Sequence, residues 1–230
     1  MVDALQFAGG KFHCPVTLYA AHPEASRTLV ILPALGVTTR KYAGLAQRLV
    51  AAGHNVLVAD WPGQGESLPR PGWRFNYGYR QLVEEFLPKL LQLARRHFPQ
   101  AVPVLLGHSL GGHIATLYAA ANPDSPVAVI GVACGNIHYR HWQGPSRLLT
   151  PSVALLFGLL ASLLGHLPGQ RLGFGGREAR SLMRDWGRVA FSGHYRHLGL
   201  TLAPAARNRV ASLYIQIEGD KFAPPASTQG

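Results

Sequence analysis

Cysteine is scarce in this chain of 230 residues: Cys14 and Cys134 are the only two, which excludes a disulfide framework, and no Cys/His spacing marks a metal site. Acidic side chains are also few, 11 against 22 Lys and Arg, leaving a net charge of +11 and a pI near 10.3. Such an excess raises nucleic acid as a partner, but zinc-knuckle spacing, a basic helix with heptads and an aromatic RNP pattern are all missing, so no nucleic-acid partner is expected. Residues 1–10 carry neither a basic n-region nor an apolar h-region; with so few cysteines, this sets the expectation of a reduced, cytoplasmic location. Charge is absent from residues 148–170, a leucine-rich run within reach of a membrane span. Pro151, Gly158, Gly165, His166 and Pro168 interrupt it, and the stretch between the outer prolines makes only about four helical turns. A buried or lid helix is the expectation.

What is present is an alternation of apolar runs and helical stretches. Residues 28–32 (TLVIL), 55–59 (NVLVA), 102–106 (VPVLL), 127–132 (VAVIGV) and 212–218 (SLYIQIE) read as strands buried on both faces, the mark of a parallel sheet. Residues 16–20 alternate and fit an antiparallel leading hairpin. Helices are predicted over 41–52, with Tyr42, Leu45 and Leu49 on one side; over 79–97, kinked or restarted at Pro88; and over 110–121. About seventy residues then separate two core strands, far beyond the usual two to six of a connecting loop. The expected organisation is a core over 1–134, a helical lid over 135–209 and a returning core strand over 210–230, with the last residues, PPASTQG, read as an unfinished or frayed terminus.

The sequence GHSLGG at 107–112 follows a strand and opens a helix of small residues, the context in which G-x-S-x-G is a nucleophile elbow. The serine of such a turn occupies a strained backbone conformation, so positions two before and two after it must lack bulk; Gly107 and Gly111 meet that demand. Ser109 is the candidate nucleophile, set at a helix N-terminus that favours developing negative charge. His108 is read as an elbow packing residue and His113 as facing out of the helix.

With these motifs the chain resembles the α/β-hydrolase superfamily over nearly its whole length. The resemblance implies an α/β-hydrolase fold, a mostly parallel twisted sheet with helices on both faces and a helical lid after the sixth strand. It implies oxyanion donors at the backbone N–H groups of Leu35 and Leu110, with Gly36 as the alternative to Leu35. Residues 60–67 (DWPGQGES) are similar to the superfamily's D-x-x-G-x-G-x-S loop, where Asp60 closes the turn. In residues 217–224 (IEGDKFAP), Asp220 is the implied triad acid and Glu218, placed within the strand, the weaker candidate. Residues 167–173 and 183–188 also resemble a set of bacterial predicted hydrolases of unassigned substrate.

The triad histidine of this superfamily follows the acid, and none of the ten residues after Asp220 is His. The favoured expectation is a C-terminally truncated chain, lacking the last strand, the last helix and the base; lid histidines 138, 141, 194 and 197 are the alternative, and a catalytically dead relative the third. Arg177, Arg180, Arg184 and Arg188 form one side of a predicted amphipathic helix opposite Ala179, Leu182, Met183 and Trp186. A solvated basic face is favoured over attraction of an anionic substrate or an acidic membrane surface. The chemistry expected is cofactor-free, metal-free acyl hydrolysis of a small, apolar ester, with residues 157–164 lining the acyl pocket; acyl transfer and a non-catalytic binding protein are the alternatives. Oligomeric state is left open.

Overall fold

A computed structural model describes residues 2–7, 12–22, 24–204 and 209–228. Seven strands form the main sheet: β1 (Val2–Phe7), β2 (Phe12–Tyr19), β3 (Arg27–Leu32), β4 (Asn55–Ala59), β5 (Val102–His108), β6 (Ala128–Val132) and β9 (Ala211–Ile215), in the order β1-β2-β4-β3-β5-β6-β9. The first two make an antiparallel hairpin, β2 runs antiparallel to β4, and every pairing from β4 to β9 is parallel. Period-two alternation sorts the central side chains between two cores. Val30, Leu32, Leu57 and Leu105 point to one face; Leu29, Ile31, Val56, Val58 and Val104 point to the other. Each such leucine or isoleucine taken out of water stabilises the fold by roughly 1.5–3 kcal/mol.

Helices cover both faces. α1 (Ala43–Ala51) packs on the second core, while α3 (Leu87–His97) and α4 (Leu110–Ala121) pack on the first. The side of α1 turned inward is the predicted one at two of its three positions: Tyr42 is buried and Leu49 packs against the second core, but Leu45 is exposed and the small Ala46 is buried in its stead. A 3₁₀ turn over Thr39–Tyr42 precedes the helix. Pro88 acts one turn upstream of its position. The short helix α2 (Tyr79–Gln81) passes into a π-turn, Leu82–Phe86, in which the Leu87 N–H reaches the Leu82 carbonyl; Pro88 can offer no N–H to Glu84, and its ring crowds that carbonyl.

The long insertion lies between β6 and β9. It carries α5 (Ser146–Leu164), the antiparallel pair β7 (His166–Pro168) and β8 (Arg177–Ala179), and α6 (Arg180–Ser192). The two short strands were not legible as such, and Arg177 belongs to β8, where its Nε donates to the Pro71 carbonyl at 2.7 Å, so it is not part of the helix. α5 is not a buried helix. Only Ala154, Phe157 and Ala161 are buried along its length. The strand β9 also departs from expectation, ending at Ile215, so Glu218 sits in the turn after it; the Asp220 N–H closes that turn onto the Ile217 carbonyl, and Gly219 has φ +74°. The end of the described chain is docked, not frayed: Pro225–Thr228 forms a 3₁₀ turn, and the buried Ser227 accepts the Asn136 N–H through its carbonyl at 2.7 Å.

Candidate active site

Ser109 stands between β5 and α4 with φ +51° and ψ −113°, a conformation costly for any residue with a Cβ. Three hydrogen bonds hold it there: its own N–H donates to Val132 of the neighbouring strand at 3.0 Å, and its carbonyl accepts from Gly112 at 2.9 Å and His113 at 3.2 Å. The turn has no room for side chains at its flanks. A Cβ on Gly107 would lie 2.4 Å from the Gly111 backbone, and one on Gly111 would lie 2.0 Å from the Leu32 carbonyl oxygen. A second strained residue, Ala133 at φ +48°, follows β6 and lines the same pocket; nothing in its sequence context announced it.

The pocket in front of Ser109 measures about 360 Å³ and brings together Leu35, His108, Leu110, Trp186 and Asp220. Leu35 and Gly36 are the central residues of a turn closed by the Val37 N–H on the Ala34 carbonyl, with Gly36 at φ +68°. Among the described residues no group accepts from the N–H of Leu35 or of Leu110. The Ser109 hydroxyl likewise has no partner among the described residues. Asp220 enters from the β9 side, its Oδ1 accepting the N–H groups of Phe222 at 2.8 Å and Ala223 at 3.2 Å.

His108 has a defined job that its spacing did not reveal. The Tyr42 hydroxyl accepts the Ala34 N–H at 2.8 Å and lies 2.9 Å from His108 Nδ1, tying the Leu35 turn to the elbow. The phenol oxygen has lone pairs for both neighbours, so the direction of its hydrogen bond with His108 follows the imidazole tautomer. Burial pushes the His108 pKa down, and the Asp220 charge pulls it back up to a lesser extent. His113 does not face outward: it is buried, with Nε2 2.8 Å from the Gly135 carbonyl and Nδ1 3.4 Å from the Tyr79 hydroxyl. The four histidines of the insertion considered as alternative bases, His138, His141, His194 and His197, are absent from the pocket wall; His197 pairs with Asp185 at 3.8 Å, and His138 stacks edge-on with His141. Asp60 is buried away from the pocket, its carboxylate accepting the N–H of Thr39 at 2.8 Å and of Glu66 at 3.4 Å.

The insertion roofs this pocket differently from the expectation. Residues 157–164 take no part in its lining; Phe174 and Trp186, 6.0 Å apart, supply the apolar wall, and Phe157 supports Phe174 from behind at 5.0 Å. The roof touches the Leu35 turn directly, because a Cβ on Gly36 would meet the Gly175 backbone at 2.1 Å. Glu178 fixes this joint: its carboxylate, buried in the protein, accepts the Gly176 N–H at 2.6 Å and the Gln64 amide at 3.1 Å. That burial raises its pKa from 4.5 to about 7.

A family model described as serine aminopeptidase, S33 matches residues 23–190. The lipoprotein lipase of Neovison vison is 26% identical over 158 residues, covering 65% of this chain and 32% of the relative. A 2-hydroxy-6-oxononadienedioate/2-hydroxy-6-oxononatrienedioate hydrolase of Cupriavidus pinatubonensis is 31% identical over 157 residues, covering 65% and 47%. The matched segment thus spans less than half the length of either relative. Among solved structures, a monoacylglycerol lipase of Paleococcus ferrophilus superposes with TM-score 0.63 at 18% identity, covering 92% of this chain and 80% of that one. A soluble variant of monoglyceride lipase from Saccharomyces cerevisiae gives 0.65 at 14%, covering 97% and 87%. At such identities the likeness is one of fold.

Proposed function

Because this chain belongs to the serine aminopeptidase S33 family of α/β hydrolases, whose model spans residues 23–190, we propose that it is an esterase-type acyl hydrolase with Ser109 as nucleophile. The observation that carries the reading is the strained Ser109 backbone beside two unengaged N–H groups in one pocket. Attack on a substrate carbonyl places the oxyanion on the Leu35 and Leu110 N–H groups, and water then releases the acyl group. Phe174 and Trp186 favour an apolar acyl chain. Esters are favoured over peptides with a free amino end, since the only carboxylate among the described residues of the pocket wall is Asp220, which serves as the triad acid. The insertion acts as the lid.

The base in this reading is a histidine outside these 230 residues, on a loop after a strand that pairs with β9. Supporting it, every residue of β9 is exposed, Leu213 and Ile215 included, and His108 Nδ1 is already engaged by Tyr42. A fluorophosphonate probe tests both parts when applied with and without added imidazole. Labelling of Ser109 that is slow alone, accelerated by imidazole and lost in Ser109→Ala is the expected result. Fast labelling without imidazole would place the base within the chain, and no labelling under either condition would remove the hydrolase reading.

A further inference from the structure

A broad apolar surface lies outside the pocket of Ser109, on the outer side of α5. The helix is seated on the rest of the insertion by a single stripe, Ala154, Phe157 and Ala161. Opposite it runs a second stripe at helical spacing, Leu148, Leu155, Leu159 and Leu163, exposed by 73%, 55%, 54% and 74%. Leu149 and Leu156 widen it, at 61% and 52%. Patches of this kind on a soluble surface mark a docking site. Beside the stripe, a groove of about 490 Å³ separates α5 from α6; Leu155 and Leu159 line one wall, and Arg184, Arg188 and Phe191 the other. At the far end of α5, Trp73 is 64% exposed, lies against Gly165 and carries the Arg180 guanidinium 5.1 Å above its ring.

We propose that the outer face formed by α5 and α6 docks flat onto an anionic lipid bilayer. α5 is long and apolar enough to cross a membrane by length and composition. It does not need to: one stripe is committed to protein contacts and β7 follows after a single residue, so the helix lies parallel to the surface it would enter. Charge selects the occupant. Arg184 and Arg188 stand on the same groove as the leucines, and the chain carries a net charge of +11, so the apolar stripe is bordered by cations that suit phosphate headgroups. A second copy of this chain is the poorer fit, because a two-fold contact across the stripe would bring the two sets of arginines together. Trp73, with an apolar ring and a polar edge, belongs to the class of side chain that settles at headgroup depth.

Co-sedimentation of the whole chain with vesicles tests this without reference to chemistry at Ser109. Binding to vesicles of phosphatidylcholine mixed with phosphatidylglycerol is expected to exceed binding to phosphatidylcholine alone by about tenfold or more, and to fall with salt. Leu159→Ser with Leu163→Ser should weaken it by about tenfold or more, and Arg184→Gln with Arg188→Gln should erase the preference for anionic vesicles. All four positions are exposed or on the groove wall, and unchanged urea midpoints establish that the variants fold. Equal binding to both vesicle types, or none, overturns the proposal. So does a dimer in sedimentation velocity that the leucine pair abolishes while vesicles are ignored.

Discussion

β5 and β9 flank the same strand, β6, run parallel to it and each deliver a candidate site residue from their C-terminal ends, yet their surroundings are opposite. β5 is buried from Pro103 to Gly107, and the turn it feeds is braced by backbone from β3, β6 and α4. β9 is exposed at every residue, and Asp220 is held by a turn made of its own near neighbours. A strained serine needs surroundings that over-determine it, and a sealed strand provides them. An acid that only receives hydrogen bonds from the next few residues does not. The two positions of one pocket therefore differ in how much of the fold each depends on.

The sharpest way to break this comparison is at Gly111. Gly111→Ala puts a Cβ into the Leu32 carbonyl and should cost about 3 kcal/mol or more in urea unfolding; a small loss would show that the elbow has slack. Next comes Glu178, sealed at the roof joint. Its pKa is raised on folding from 4.5 to about 7, so the native state binds the proton more tightly, and stability present below about pH 4.5 is lost as pH rises toward 7. The loss should be about 2–3 kcal/mol, read as a falling urea midpoint across that window and flattened by Glu178→Gln. Tyr42→Phe leaves the buried Ala34 N–H without its acceptor and should cost about 1–2 kcal/mol. The smallest effect belongs to β9: Leu213→Ser, at a side chain 57% exposed, should stay within about 0.5 kcal/mol. A large cost there would mean that β9 is covered in solution.

The same contrast explains what could be read from residues alone. The strands β3, β4, β5 and β6 announce themselves because burial on both faces demands continuous apolar runs, and the elbow does so because its strain admits only glycine at 107 and 111. On α1, Tyr42 and Leu49 face the core as their spacing predicts, while the inward place expected of Leu45 belongs to Ala46, whose small side chain gives little apolar signal. Leu155, Leu159 and Leu163 belong to a run whose expectation was a buried or lid helix, and their exposure is not legible because apolar periodicity gives the phase of a stripe and not the side that is covered. The role of Tyr42 and the burial of Glu178 depend on partners 66 and 114 positions away, beyond any local signal.

The backbone contact between Gly36 and Gly175 has a meaning for how this molecule could be rebuilt. An insertion joined to its core only through side chains could be exchanged for another of similar length. Here the roof rests on the Leu35 turn main chain to main chain, with no side chain between them to absorb a misfit. A grafted roof would have to bring its backbone to the same approach on Gly36, and any shift of the graft would be transmitted, undamped, to the turn bearing the Leu35 N–H.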